Sequence, residues 1–404
     1  MLYKIVSFFT AMLMTVCSFF GIDYQQKGYE LNVNKLQKAV TRSQERRLDA
    51  GTLTGAHIII NQNGECVLNM VYGKASADGE ALKENAVYRI ASMTKPVTAV
   101  ALLIEQERGH LNINDDLADY MPEYADMQVK KADGTTEKAK NPIKLYMLVS
   151  HVSGLDDTAI MGEELGVPME ERNARTVAEA AAKLPLVYEP GTAQAYNTAA
   201  FDVAARVIEI TSGMDFAEYL KVNIFDKLGM TDTTFEPTTA QWDRMVAVHG
   251  CENGNAYDVP YDGQIFGAYP VTYHAAGAAL TSTAADYDKF ARMLLNGGVG
   301  DNGERVMSEE SVRLMATPVV GDDIMSGSQK WGLGVRVITD NGYTLPKGTF
   351  GWSGMFGTHF WIDPVNKITA VYMKNSAFDG GAGCQTANEL EKDVMDSFTV
   401  KRLK

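Results

Sequence analysis

The chain has 404 residues, 46% of them hydrophobic and 22% charged, an ordinary globular composition with ample material for a large core. Its formal net charge of −14, with no long basic run, argues against nucleic acid and anionic membrane surfaces as partners. The four cysteines (Cys17, Cys66, Cys251, Cys384) form no C-x-x-C pair and the six histidines lack metal-ligand spacing, so neither a disulfide-built fold nor a metal site is expected.

Residues 1–21 carry one Lys (Lys4) ahead of an apolar run from Ile5 to Phe20. That pattern reads as a secretory signal, with Val16-Cys17-Ser18 offering residues suited to cleavage after Ser18. It predicts an exported protein; an uncleaved, membrane-tethered or cytoplasmic form is the alternative. No other run is long and apolar enough to span a membrane, so no further integral membrane domain is expected. Residues 22–404 read as a single catalytic domain.

An amphipathic helix is predicted over Asn32 to Asp49, with Leu36, Val40 and Leu48 on one side. Ala56 to Ile60 and Cys66 to Gly73 read as strands joined by a turn containing Asn63-Gly64, a hairpin signal. After Tyr88 to Ala91 comes a helix led by Ser92, apolar on several faces and therefore expected to be buried, and ended by Gly109. Helical patches follow at Val177 to Leu184, Ala199 to Thr211 and Phe216 to Leu228. Thr283 with Asp286 three residues on predicts the cap of a helix that Gly297-Gly298 stops. Strands return at Gly332 to Ile338, Phe350 to Trp352, Thr358 to Ile362 and Ile368 to Lys374, and a last helix is predicted over Gln385 to Thr399. Strands at both ends and helices between them predict an α+β fold. In it, one antiparallel sheet (about 32–105 and 285–404) carries the terminal helices on one face, and a mainly helical lobe (about 106–284) is inserted on the other side.

The chemistry concentrates at Ser92-Met93-Thr94-Lys95. Residues i and i+3 share a helix face, so the hydroxyl and the amine come within hydrogen-bond reach. A serine beside a lysine is one way to make a nucleophile without histidine. Ser92 is the only serine in the chain with a lysine three residues on. The competing reading makes Ser92 a helix cap and Lys95 a solvated first-turn residue.

Ser92-Met93-Thr94-Lys95 resembles the first motif of the serine β-lactamase and penicillin-binding protein superfamily. Further stretches resemble its class C-like branch in the order that branch shows them: Gly109 to Asp115, Leu148 to Leu155, Glu189 to Thr192, Leu228 to Thr233 and Gly277 to Asp286. The resemblance implies the β-lactamase/DD-peptidase fold. The family's second motif is Tyr-x-Asn; here Tyr196-Asn197-Thr198 keeps the tyrosine, with Thr198 at the third position. That departure is expected to weaken one polar contact to substrate or to Lys95. The third motif, Lys-Thr-Gly or His-x-Gly, is replaced by Trp352-Ser353-Gly354, a version similar to the family VIII carboxylesterases. The change removes a cation that would hold a carboxylate and adds an apolar ring, which suits an uncharged ester. No G-x-S-x-G occurs, so an α/β-hydrolase has no support.

The resemblance implies acyl transfer through Ser92, with Lys95 or Tyr196 as base and the backbone N–H groups of Ser92 and Met355 around the oxyanion. Asn197, Thr198, Trp352, Ser353 and Gly354 are the further candidates for contact with substrate. No metal or organic cofactor is required, and the expected partner is a small ester or amide. A carboxylesterase is favoured; a β-lactamase or D-Ala-D-Ala carboxypeptidase, and a catalytically weak binding protein of the same fold, are the competing readings.

Overall fold

The computed structural model describes residues 28–260 and 271–400. The segment 1–21, read above as a secretory signal, lies outside the described residues. Helix α1 (Val33–Asp49) begins where the Asn32 side chain accepts the Lys35 N–H at 3.0 Å, a side-chain cap on an otherwise orphaned donor. Strands β1 (Gly55–Gln62) and β2 (Glu65–Gly73) are joined by the two-residue loop Asn63-Gly64. Both loop residues take positive φ, +54° and +83°, which is what a hairpin turn matched to strand twist requires.

The chain then enters helix α2 (Thr94–Glu107), followed by short helices and by α3 (Ala174–Ala181) and α4 (Ala200–Ser212). Helix α5 (Ala284–Leu295) starts at Thr283, whose hydroxyl accepts the Asp286 N–H at 3.1 Å. Strands β3 (Gln329–Trp331), β4 (Arg336–Ile338), β5 (Phe350–Ser353), β6 (His359–Asp363) and β7 (Ile368–Met373) lead to helix α6 (Gln385–Asp396).

All seven strands form one antiparallel sheet in the order β3-β4-β5-β6-β7-β1-β2, so the N-terminal hairpin docks beside the last C-terminal strand. Side chains alternate across it with period two. Ile58, Ile60, Trp361, Ala370 and Tyr372 meet Leu36 and Val40 of α1 and Leu390 and Val394 of α6. Ile59, Phe360, Ile362, Val371 and Met373 face the other way, into the core that holds α2, α4 and α5. With both faces covered, every residue of β6 and β7 is buried. The architecture is α+β with an antiparallel sheet, as the sequence motifs imply.

Two predicted elements are corrected. Gly332 to Ile338 is not one strand. Trp331 pairs with Arg336, and the Gly332 N–H donates to the Val335 carbonyl at 2.9 Å, so residues 332–335 are the bend of a β3-β4 hairpin. Helix α6 stops at Asp396, and Phe398–Val400 becomes a strand paired with Tyr29–Leu31, which ties the two ends of the described chain together. Phe398 reaches the same apolar core from the strand that the predicted helix would have reached.

Candidate active site

Ser92 stands in a tight turn, Ala91–Met93, at the head of α2. Ala91 takes φ +45°, a left-handed conformation that costs a residue with a Cβ about 1–2 kcal/mol. Several fastenings hold it there. The Ile90 N–H donates to Leu280 O at 3.2 Å. The Thr94 hydroxyl donates to Ala91 O at 2.7 Å, and the Tyr287 hydroxyl donates to Met93 O at 2.7 Å. Strain of this kind, kept by surrounding bonds, is characteristic of residues that present a reacting group. Ser92 is half-buried, whereas every residue from Thr94 to Glu105 is buried.

Lys95 is fully buried and makes no carboxylate ion pair among the described residues. Its Nζ lies 3.1 Å from Ser92 Oγ, 3.2 Å from Thr198 Oγ1 and 2.8 Å from Gly277 O. Three acceptors match the three hydrogens of an ammonium. In the neutral amine, Gly277 O and Thr198 Oγ1 take the two remaining N–H groups and the lone pair faces the Ser92 hydroxyl, which is the geometry a base needs. Thr198 therefore makes a polar contact with Lys95 through its hydroxyl. Gly277 is required for this arrangement: a Cβ there would lie 2.5 Å from Thr198 O.

Tyr196 presents its ring, not its oxygen, to Lys95, whose Nζ sits 4.7 Å from the ring centroid. Its hydroxyl oxygen accepts the indole N–H of Trp352 at 3.2 Å. Trp331 packs edge-on against Trp352 at 4.4 Å between ring centroids, and His151 lies 4.5 Å from Tyr196 and 4.1 Å from Trp331. His151 Nδ1 accepts the Asn197 N–H at 2.9 Å, so the hydrogen is on Nε2. Burial, reinforced by the charge of Lys95, lowers the His151 pKa well below 6.5 and keeps the ring neutral. Trp331, His151 and Gly277 escaped sequence reasoning as site residues, although His151 and Gly277 stand inside motif stretches quoted above.

Three other expected contacts are placed elsewhere. Asn197 is buried with both ends of its amide engaged, donating to Leu155 O at 2.8 Å and accepting from Ala200 N at 2.7 Å at the start of α4. Ser353 follows Trp352 on β5 and so faces the opposite side of the sheet, where its hydroxyl lies 2.8 Å from His359 Nδ1. Gly354 makes its close approach to the chain before the nucleophile: a Cβ there would lie 2.3 Å from Ile90 O. That contact draws residues 354–355 against the Ser92 turn. The Gly354 N–H is spent on Thr358 O at 2.8 Å, whereas Met355, with its side chain 46% exposed, has no acceptor for its N–H among the described residues.

The sequence profile of the Beta-lactamase family matches residues 40–391. The chain belongs to the β-lactamase family. Its described cysteines are all free, and no helix among the described residues is long and apolar enough to cross a membrane. An uncharacterized protein of Mycobacterium tuberculosis (strain CDC 1551 / Oshkosh) is 30% identical over 355 residues, 80% of this chain and 86% of the relative. A protein of Escherichia coli (strain K12) named "Putative D-alanyl-D-alanine carboxypeptidase" is 26% identical over 375 residues, covering 85% of this chain and 83% of its own. Among solved structures, EstCE1, a hydrolase with promiscuous acyltransferase activity, superposes with a TM-score of 0.77 at 21% identity over 90% of this β-lactamase-family chain and 99% of its own. At that identity the likeness speaks for the fold alone.

Proposed function

We propose that this member of the β-lactamase family is a serine hydrolase that works through an acyl-enzyme at Ser92 and acts on small uncharged esters. The observation that carries the reading is the Lys95 amine, buried without a carboxylate partner among the described residues, 3.1 Å from the Ser92 hydroxyl and with its other two donors occupied. Ser92 Oγ attacks the ester carbonyl carbon and its proton passes to Lys95. The carbon–oxygen bond to the alcohol breaks, and the alkoxide leaves with the proton that Lys95 took from Ser92. Water then attacks the acyl carbon and releases the acid, restoring the Ser92 proton. The Ser92 and Met355 N–H groups receive the oxyanion; one such donor is worth about 10²–10³ in rate.

Preference for an uncharged substrate rests on the third motif. Trp352 offers an indole where the family offers a cation, and that indole is committed to Tyr196. Three cations on or just after strands of the sheet are committed as well: Lys330 to Asp322, Arg336 to Glu391 and Lys374 to Asp379. A carboxylate-bearing β-lactam or D-Ala peptide would meet no free cation among these groups. The second reading, a D-Ala-D-Ala carboxypeptidase, draws on the E. coli relative's name. Purified protein and its Ser92→Ala variant are to be assayed on a short-chain p-nitrophenyl ester, a chromogenic cephalosporin and a D-Ala-D-Ala peptide. The expected result is Ser92-dependent turnover of the ester far above the other two; dominant peptide or lactam turnover would replace the first reading with the second. Export is proposed from the pattern of residues 1–21, and the mass of the mature N-terminus checks it.

A further inference from the structure

The mechanism above leaves several buried carboxylates unused, Asp202 among them. Asp202 lies on α4, wholly inaccessible to solvent, with no cation within ion-pair distance among the described residues. Its Oδ1 accepts the Ala276 N–H and its Oδ2 accepts the Tyr273 hydroxyl, both at 2.8 Å. The same residue is gripped through its carbonyl, where the Thr98 hydroxyl, one turn beyond Lys95 on α2, donates to Ala276 O at 2.6 Å. The next residue is Gly277, whose carbonyl is the shortest of the three Lys95 contacts.

We propose that Asp202 is a positioning residue for Lys95: it anchors the 273–277 turn that supplies the Gly277 carbonyl, and its charge is coupled to that of the amine across the turn. The inference rests on the reading of Ser92 and Lys95 as nucleophile and base. Burial pushes the Asp202 carboxyl up to about 7, against the pull of the Ala276 and Tyr273 hydrogen bonds and of the Lys95 charge. Two further charged groups bear on it or on its partner Tyr273. Asp157, whose Oδ1 accepts the Thr198 and Ala199 N–H groups at 2.7 and 2.9 Å, opposes its ionisation. Arg172 acts on Tyr273. The carboxyl thus feels the charge of the amine across the turn.

The test separates anchoring from charge. Asp202→Asn can keep both contacts, its carbonyl accepting from Ala276 and its amide donating to Tyr273, while losing the charge. Asp202→Ala loses both. The readouts are kcat/KM on the p-nitrophenyl ester and the rate of Ser92 labelling by a fluorophosphonate probe, each across pH 5–10, with the fold checked by circular dichroism. In Asp202→Asn the acid limb is expected to move to lower pH by on the order of one unit, because the amine no longer has a carboxylate favouring its charged form. Asp202→Ala is expected to lower kcat about 10²-fold with little change in KM, the cost of a displaced amine. Should Asp202→Asn fail to fold, Tyr273→Phe removes one donor from the carboxylate and is expected to move the limb in the same direction by less. An unmoved limb in the folded variants, with Ser92 still labelled in the unsubstituted protein, overturns the positioning role alone. Labelling that persists in Ser92→Ala overturns the nucleophile reading beneath it.

Discussion

Ser92 and Ser353 are each hydrogen-bonded to a nitrogen, yet they stand in opposite situations. Ser92 is half-buried beside an amine that has no carboxylate partner among the described residues. Ser353 is buried behind β5 in a string that reads like a catalytic triad: its hydroxyl on His359 Nδ1, His359 Nε2 3.2 Å from Glu391, and Glu391 paired with Arg336 at 2.9 Å. No member of that string is more than 5% exposed. On the proposed reading of Ser92, residue type does not select the nucleophile. Access and a strained, well-held turn do, and the second network has neither; it serves to pin β5, whose other face carries Trp352 to Tyr196.

The largest expected contrast is between the serines themselves. Ser92→Ala should lower ester kcat/KM on the order of 10⁴-fold or more, while Ser353→Ala should leave it within about twofold, measured side by side on folded protein. An activity loss in Ser353→Ala comparable to that of Ser92→Ala would mean the buried string takes part in the chemistry. Next in size is Glu391→Gln, which leaves Arg336 buried with a weakened partner. It should cost about 3–5 kcal/mol in denaturant unfolding.

Trp352→Phe tests the front face. It keeps an aromatic ring and removes the N–H that Tyr196 accepts, so kcat should fall about tenfold while the unfolding midpoint moves little, consistent with one hydrogen bond worth about 1 kcal/mol. A gain in cephalosporin turnover from Trp352→Lys would further show that the missing cation governs substrate choice. The smallest effect is in stability against pH, and its sign differs between the networks. Asp202 has its folded pKa raised to about 7 from 3.8, so its contribution is complete at low pH and lost as pH rises through about 7. Burial would raise Glu391 too, but His359 and Arg336 more than offset it and hold the carboxyl below 4.5, so its contribution is present above that value and lost on acidification. Urea titrations of Asp202→Asn should lack the first slope and keep the second.

Local signals were legible in the sequence where local physics decides the outcome. The Asn32 and Thr283 caps, the Asn63-Gly64 turn and the Ser92–Lys95 spacing all depend on residues within four positions of one another. What was not legible depends on contacts far apart in the chain. Gly277 is 182 positions from the lysine it holds, and Trp331 was hidden because the strand after it was read as continuous through Gly332. Ser353 was a different kind of miss. If Trp352 faces the cleft, strand alternation alone sends Ser353 to the back, so that assignment was available from the motif and went against period two. Asn197 is similar: standing three residues before Ala200, it has the spacing at which a side chain takes up a helix's first N–H, and it accepts that of Ala200 at the start of α4.

Trp331 and Trp352 are half of the chain's four tryptophans and lie edge-on at 4.4 Å. Indoles held that close in a fixed, chiral arrangement couple their electronic transitions. The wall of the cleft thus carries its own optical label: near-ultraviolet dichroism should respond when an acyl group settles against Tyr196, and the kinetics of site occupation can be followed without a dye.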